Sequence, residues 1–142
     1  MGCSVTDQER VLFLLRELCN QFGPKFERNT NMSLSRFELL HQLFETDEMT
    51  QSTLQKSVNI DNAAVTRHLK QLESQGMVAR RRNPSDQRET FVSLTKEGRE
   101  QLQSCSTEKR CFVEQMLQGF SSEELHAFTA MLMRIQSNIS KY

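Results

Sequence analysis

Between Thr50 and Gly76 the sequence marks two helix starts in quick succession, and that spacing limits the fold more than any other feature. Thr50 is a good helix N-cap, with Met49 before it and Leu54 inside, so two apolar side chains can staple the first turn. The helix predicted there ends near Ser57. Asp61 repeats the device with Ile60 and Val65, and the second helix runs to Gly76, whose missing Cβ suits the left-handed position after a helix. Two capped helices joined by a very short turn make a helix-turn-helix. After Gly76 the period changes. Met77, Val78 and the triplet Arg80-Arg81-Arg82 lead into the turn cluster Asn83-Pro84-Ser85-Asp86, and Thr90 to Leu94 then alternates with period two, which predicts a two-stranded hairpin with a long polar tip.

Helices flank this centre on both sides. Thr6-x-x-Glu9 reads as a capping box ahead of Val11, Leu14, Leu15, Leu18 and Phe22, a run that stops at Gly23-Pro24. Ser35-x-x-Glu38 opens a second helix carrying Phe37, Leu40, Leu43 and Phe44. Beyond the hairpin, Thr95 caps a long helix through about Gln118, with Leu102, Cys105, Phe112, Val113, Met116 and Leu117 on its apolar side. Ser121-x-x-Glu124 then opens a last helix in which Leu125, Phe128, Leu132, Ile135 and Ile139 follow the 3-4-3-4 seam of helices that pack along each other. The fold class is therefore mainly α with a small β-hairpin.

Composition excludes several classes. At 142 residues one domain is expected, and five Gly and two Pro suit helices better than a linker. The longest early apolar run, Val11 to Leu15, is far short of the ~18–20 residues of a membrane span, and no secretory signal opens the chain, so no membrane partner and a cytoplasmic address are expected. Cys3, Cys19, Cys105 and Cys111 form no CxxC, and are expected as free thiols. His41, His68 and His126 have no ligand at i+3 or i+4, so neither a metal nor a cofactor is expected. No Gly-rich phosphate loop, nucleophile elbow or paired carboxylates point to an enzyme.

Net charge is zero, which taken whole argues against a polyanionic partner. Its distribution argues the reverse. Residues 64–88 hold six basic residues (Arg67, Lys70, Arg80, Arg81, Arg82, Arg88) against two acidic ones (Glu73, Asp86), a local net of +4, so the remainder carries −4. On the helix from Asn62, Val65, Leu69 and Leu72 share one side while Ala63, Thr66, Arg67, Lys70 and Ser74 lie opposite. That outward face suits the major groove, where Arg reads guanine, Thr and Ala meet a thymine methyl and Lys reaches phosphate.

Asp86-Gln87-Arg88 followed by Val92, Leu94-Thr95 and Gly98, with Val65-Thr66-Arg67, Leu72-Glu73 and Gly76-Met77-Val78 before it, resembles the winged helix-turn-helix of the MarR family of bacterial transcriptional regulators. The resemblance spans nearly the whole chain, and its most specific part is the Asp-x-Arg of the hairpin, or wing, followed by Leu-Thr. It implies one domain over 1–142, with the winged helix-turn-helix at 49–98 (helix-turn-helix about 50–76, wing about 77–94) and helical dimerisation regions at 1–28 and 96–142. It further implies a homodimeric repressor or activator of double-stranded DNA, released by a small aromatic effector or by thiol oxidation. Asn62, Ala63, Thr66, Arg67 and Lys70 become the base-reading half of the recognition helix. Arg80, Arg81, Arg82, Asp86 and Arg88 become the wing contacts, with Asp86 and Arg88 bracing the hairpin and the arginine entering the minor groove. Thr50, Gln51 and Ser52 are candidate phosphate contacts.

The signal sensed is less marked. Cys3 and Cys19 are candidate redox sensors, although Cys19 sits beside Leu15, Leu18 and Phe22 on an apolar face, where it, like Cys105, reads first as a small buried hydrophobe. Lys109 and Arg110 lie close to Cys111 in sequence. Phe22, Phe26, Phe37, His41 and Phe44 are candidate lining for a ligand pocket, or ordinary core. A winged-helix module that binds protein instead of DNA would share the fold; it should carry an apolar patch where this chain carries arginines.

Overall fold

The computed structural model describes Gly2 and residues 5–142. The elements run α1 (Val5–Thr30), α2 (Leu34–Phe44), β1 (Met49–Thr50), α3 (Gln51–Ser57), α4 (Asn62–Ser74), β2 (Val78–Arg82), β3 (Thr90–Leu94), α5 (Lys96–Ser104), α6 (Ser106–Met116) and α7 (Ser122–Ile139). The architecture is mainly helical with a small antiparallel sheet, as expected. The chain divides into two compact units, one ending at Lys109 and the other comprising Arg110–Tyr142.

In the first unit α2, α3 and α4 close on one core. Leu39, Leu40 and Leu43 from α2, Leu54 from α3 and Val65, Leu69 and Leu72 from α4 meet Val78 and Val92 of the hairpin and Leu102 and Cys105 at the end of α5. Each fully buried Leu contributes about 1.5–3 kcal/mol relative to exposure, so this cluster holds the helix-turn-helix against the sheet. The hairpin pairs Val78 with Leu94 through Arg82 with Thr90. A third strand, which the sequence reading lacked, lies on the far side of β3: Met49 pairs with Val92 and Thr50 with Phe91, giving the order β1-β3-β2. Two residues are too few for a period-two signal, and only the register to β3 makes them a strand.

Several boundaries differ from expectation. Thr6 lies inside α1 instead of capping it. The same helix continues through Gly23-Pro24 to Thr30. Pro24 cannot donate to the carbonyl one turn back, but the turn beyond it is held by the burial of Phe26 and by the Thr30 hydroxyl, which donates to the Phe26 carbonyl at 2.8 Å. Asn31, at φ 58°, ends the helix. Ser33 rather than Ser35 caps α2, its Oγ accepting from Arg36 N–H, and Glu38 instead accepts from Asn59 N–H at 3.2 Å. Thr50 caps α3 as expected, whereas Asp61 makes no side-chain cap bond. The long helix after Thr95 is two helices, because Cys105 adopts φ −91°, ψ 3° and breaks the ladder. Gly76 (φ 76°) and Gly119 (φ 89°) terminate α4 and the turn after α6 as predicted.

In the second unit Ser121 and Glu124 form a full capping box and Phe120 lies 6.5 Å from the Phe128 ring. Phe128, Met131, Leu132, Met133 and Ile139 of α7 are all exposed in the single chain. Among the described residues no helix is long and apolar enough to cross a membrane.

Candidate nucleic-acid interface

The recognition surface is built outward from α4. Val65, Leu69 and Leu72 anchor its inner side, so Asn62, Ala63, Thr66, Arg67 and Lys70 are all exposed on the other. Thr66 donates to the Asn62 carbonyl at 3.1 Å and accepts from Gln51 Nε2 at 3.5 Å, which ties the first turn of α4 to the start of α3. Thr50 Oγ1 accepts from Thr53 N–H and donates to Thr53 Oγ1 at 2.8 Å, holding that start in place. A cleft of about 230 Å³ lies between it and the wing, lined by Thr50, Gln51, Ser52, Gln55, Arg88, Glu89 and Thr90. The three candidate phosphate residues and the wing arginine, distant in sequence, are thus neighbours.

The wing tip is tightly tied. Asn83 N–H donates to the Glu89 carbonyl, Glu89 N–H to the Asp86 carbonyl, and Asn83 Nδ2 to Glu89 Oε2 at 2.9 Å. Asp86 Oδ1 accepts the backbone N–H of Arg88 at 3.0 Å. Asp86 therefore braces the turn through the backbone and leaves the exposed Arg88 side chain, which lines the cleft, without an ion pair among the described residues. Arg67, Lys70 and Arg82 also lack one, among the described residues.

Arg80 and Arg81 differ from them. Arg80 forks onto Glu73 of α4, Nε to Oε2 at 3.2 Å and Nη2 to Oε1 at 3.1 Å. Arg81 forks onto Glu48 at 3.0 and 2.7 Å and lies 4.6 Å over the Phe91 ring. The Arg80 hydrogen bonds hold the Glu73 carboxyl below its usual range, and the Glu48 hydrogen bonds raise the Arg81 guanidinium further above its own. The basic triplet is thus not one cationic block. Period-two alternation, visible in the sequence, already places Arg80 and Arg82 on one face of β2 and Arg81 on the other.

Sequence reasoning also passed over Arg36. From α2 it hydrogen-bonds Gln71 of α4 and adds a cation beside His68. Burial first, then the Arg36 and Arg67 charges, lower the His68 pKa, and its Nδ1 is shut off from solvent without a hydrogen-bond partner among the described residues. Among the described residues every exposed large hydrophobic side chain lies in Val11–Leu34 or Val113–Tyr142, none on the α4 and wing face.

Away from that face, Phe37, His41, Phe44, Glu45, Leu102, Gln103, Ser106 and Lys109 line a half-open cavity of about 180 Å³. Phe37 and His41 are stacked at 5.9 Å and Lys109 Nζ is 5.4 Å from the Phe37 ring centre. Phe26 and Phe22 do not line it: Phe26 is buried edge-on against Phe37 at 5.4 Å, and Phe22 is half-buried on α1. Of the candidate thiols, Cys3 lies outside the described residues. Cys19 is exposed, contrary to its reading as a buried hydrophobe, as are Val11 to Leu14 and Leu18 on the same helix. Cys105 is buried, and burial pushes its thiol up, away from the reactive thiolate.

The MarR family profile matches residues 32–90. The chain is 49% identical over 135 residues to the uncharacterized HTH-type transcriptional regulator YdgJ of Bacillus subtilis (strain 168), covering 95% of this chain and 82% of that protein. Its fold is similar to that of a mutant MarR from E. coli complexed with operator DNA (TM-score 0.80, 22% identity, covering 94% and 99% of the two chains). It is similar also to Bordetella bronchiseptica BpsR, whose DNA binding is regulated by 6-hydroxynicotinic acid (TM-score 0.81, 21% identity, covering 89% and 98%). With the helix-turn-helix pair, the basic outward face and the wing in place, the chain belongs to the MarR family of helix-turn-helix transcriptional regulators.

Proposed function

We propose that this regulator is a cytoplasmic homodimeric repressor that binds a palindromic operator, placing α4 in the major groove and the wing at the minor groove of each half-site. The family is one of transcriptional regulators, not of enzymes. The observation that carries the reading is the outward face of α4 together with Arg88 and Arg82: cations without ion-pair partners among the described residues, beside polar Thr50, Gln51 and Ser52, and with no exposed large apolar side chain. A protein-docking version of the same face would expose an apolar anchor.

Release by a small aromatic effector is favoured over thiol oxidation. The cavity at Phe37 has aromatic walls, Lys109 and Glu45 in its lining, and a volume close to the ~150 Å³ that holds a single benzene ring, so a one-ring aromatic compound matches it in size, with Lys109 the group that would meet an acid substituent. Of the three described thiols Cys105 is buried with a raised pKa while Cys19 and Cys111 are exposed, so the preference for an effector rests on the cavity and not on the thiols. Selection of duplexes from a random-sequence pool by the purified protein is expected to return inverted half-sites one helical turn apart, roughly 34 Å. Aromatic acids should then reduce binding and mild peroxide should not. Recovery of no preferred sequence would refute the reading.

A further inference from the structure

Two arginines of the basic triplet of β2, Arg80 and Arg81, are held on opposite faces of the strand by acidic residues that lie outside the wing. Glu73 sits in the last turn of the recognition helix, and Glu48 directly precedes β1. In the sheet register Arg81 stands opposite Phe91, and Phe91 opposite Thr50, so a side chain reaching from Arg81 to Glu48 must cross β3 over the Phe91 ring. It does so, with the guanidinium carbon 4.6 Å from the ring centre and both nitrogens forked onto the Glu48 carboxylate. Arg80, on the opposite face of the strand, forks onto Glu73. Two-point carboxylate forks fix direction as well as distance, and a guanidinium stacked on a ring has little freedom to swing toward a phosphate.

We infer that Arg80 and Arg81 are wing-positioning residues and not phosphate ligands: the Arg81–Phe91–Glu48 strap buckles the three strands and the Arg80–Glu73 fork sets the wing against the recognition helix. Arg82 and Arg88 are left to meet DNA. This rests on the DNA-binding reading above and deepens it. A cation already matched by a carboxylate displaces no counterion from a phosphate, so the two classes of arginine separate by salt dependence.

The test uses the full chain and a duplex from the selection above, with affinity measured across a salt series. Arg81→Gln and Glu48→Gln should each weaken binding by about tenfold, with the double variant no weaker than either single one. The slope of log affinity against log salt should stay that of wild type. The swapped variant, Glu48→Arg with Arg81→Glu, should recover most of the loss. Arg88→Gln, as a contact control, should flatten the slope by about 0.9. The inference is overturned if Arg81→Gln flattens the slope as Arg88→Gln does, if Glu48→Gln tightens binding by removing a negative charge, or if the swap binds no better than Arg81→Gln. A wild-type chain that binds no duplex overturns the DNA reading itself, a result recognisable because no affinity then exists for a variant to change.

Discussion

Arg67 is the side chain on which sequence reading most depends, because it lies near the centre of the exposed face of α4 while Val65 and Leu69 beside it are buried. Arg67→Ala should cost about 1–3 kcal/mol of binding to the cognate site and relax preference at one base pair per half-site, measured by competition among single-substituted duplexes. An equal loss on every sequence would make it a phosphate contact. Its neighbour His68 carries a stability prediction. Because burial and the nearby Arg36 and Arg67 charges lower its folded pKa below the ordinary 6.5, the fold favours the neutral ring. Its contribution is therefore fully present above 6.5 and is lost as pH falls from there through the folded value. The denaturant midpoint should drop over that window, and His68→Gln should remove that part of the drop. At this scale the sequence marked the cations but not their partners. Arg80, Arg81 and Arg82 look alike in a charge count, whereas Glu48 and Glu73, at separations of 33 and 7 residues, decide which of them are neutralised.

Gly98 illustrates how elements are joined. A Cβ there would lie 2.1 Å from the Met77 carbonyl oxygen and 2.8 Å from Leu94 Cδ1, because the first turn of α5 comes down on the strand entry. The junction is also closed by Thr95 N–H donating to the Met77 carbonyl at 3.0 Å and by the Thr95 hydroxyl donating to the Gly76 carbonyl at 2.6 Å. Backbone cannot move aside as a side-chain tip does, so Gly98→Ala should destabilise by about 1–3 kcal/mol or more, read from the midpoint of urea unfolding. A variant as stable as wild type would mean that α5 can lift off the hairpin. Elements whose signals are local were legible: the Thr50, Thr95 and Ser121 caps, the Gly76 stop and the alternating strand at Thr90–Leu94. Those decided by tertiary contact were not. Pro24 reads as a stop until Phe26 is seen buried one turn later, and β1 exists only through its pairing with β3.

Across the whole molecule apolar surface and charge are segregated. The α1 residues Val11, Leu12, Phe13, Leu14 and Leu18 of the first unit, and the α7 residues Phe128, Met131, Leu132, Met133 and Ile139 of the second, are exposed in the single chain, and each helix by itself leaves a row of large apolar side chains in water. Among the described residues none of the exposed large apolar side chains lies on the cationic face of α4 and the wing. In the proposed dimer a second copy covers the apolar helices, and two half-sites bind as one unit. A charge placed at Leu132, which is 38% exposed and outside the core cluster, tests this without disturbing the fold around α4. Leu132→Glu should yield a monomer by light scattering with helical content retained. Without its partner each chain engages a single half-site and loses the effective concentration that the pairing provides, so affinity for the full palindrome should fall by about 100-fold or more, toward that for an isolated half-site. Removal of residues 122–142 should give the same pair of losses. A Leu132→Glu chain that stays dimeric would move the interface elsewhere. One that is monomeric yet binds the palindrome as tightly as wild type would mean that a single winged helix-turn-helix supplies all of the affinity.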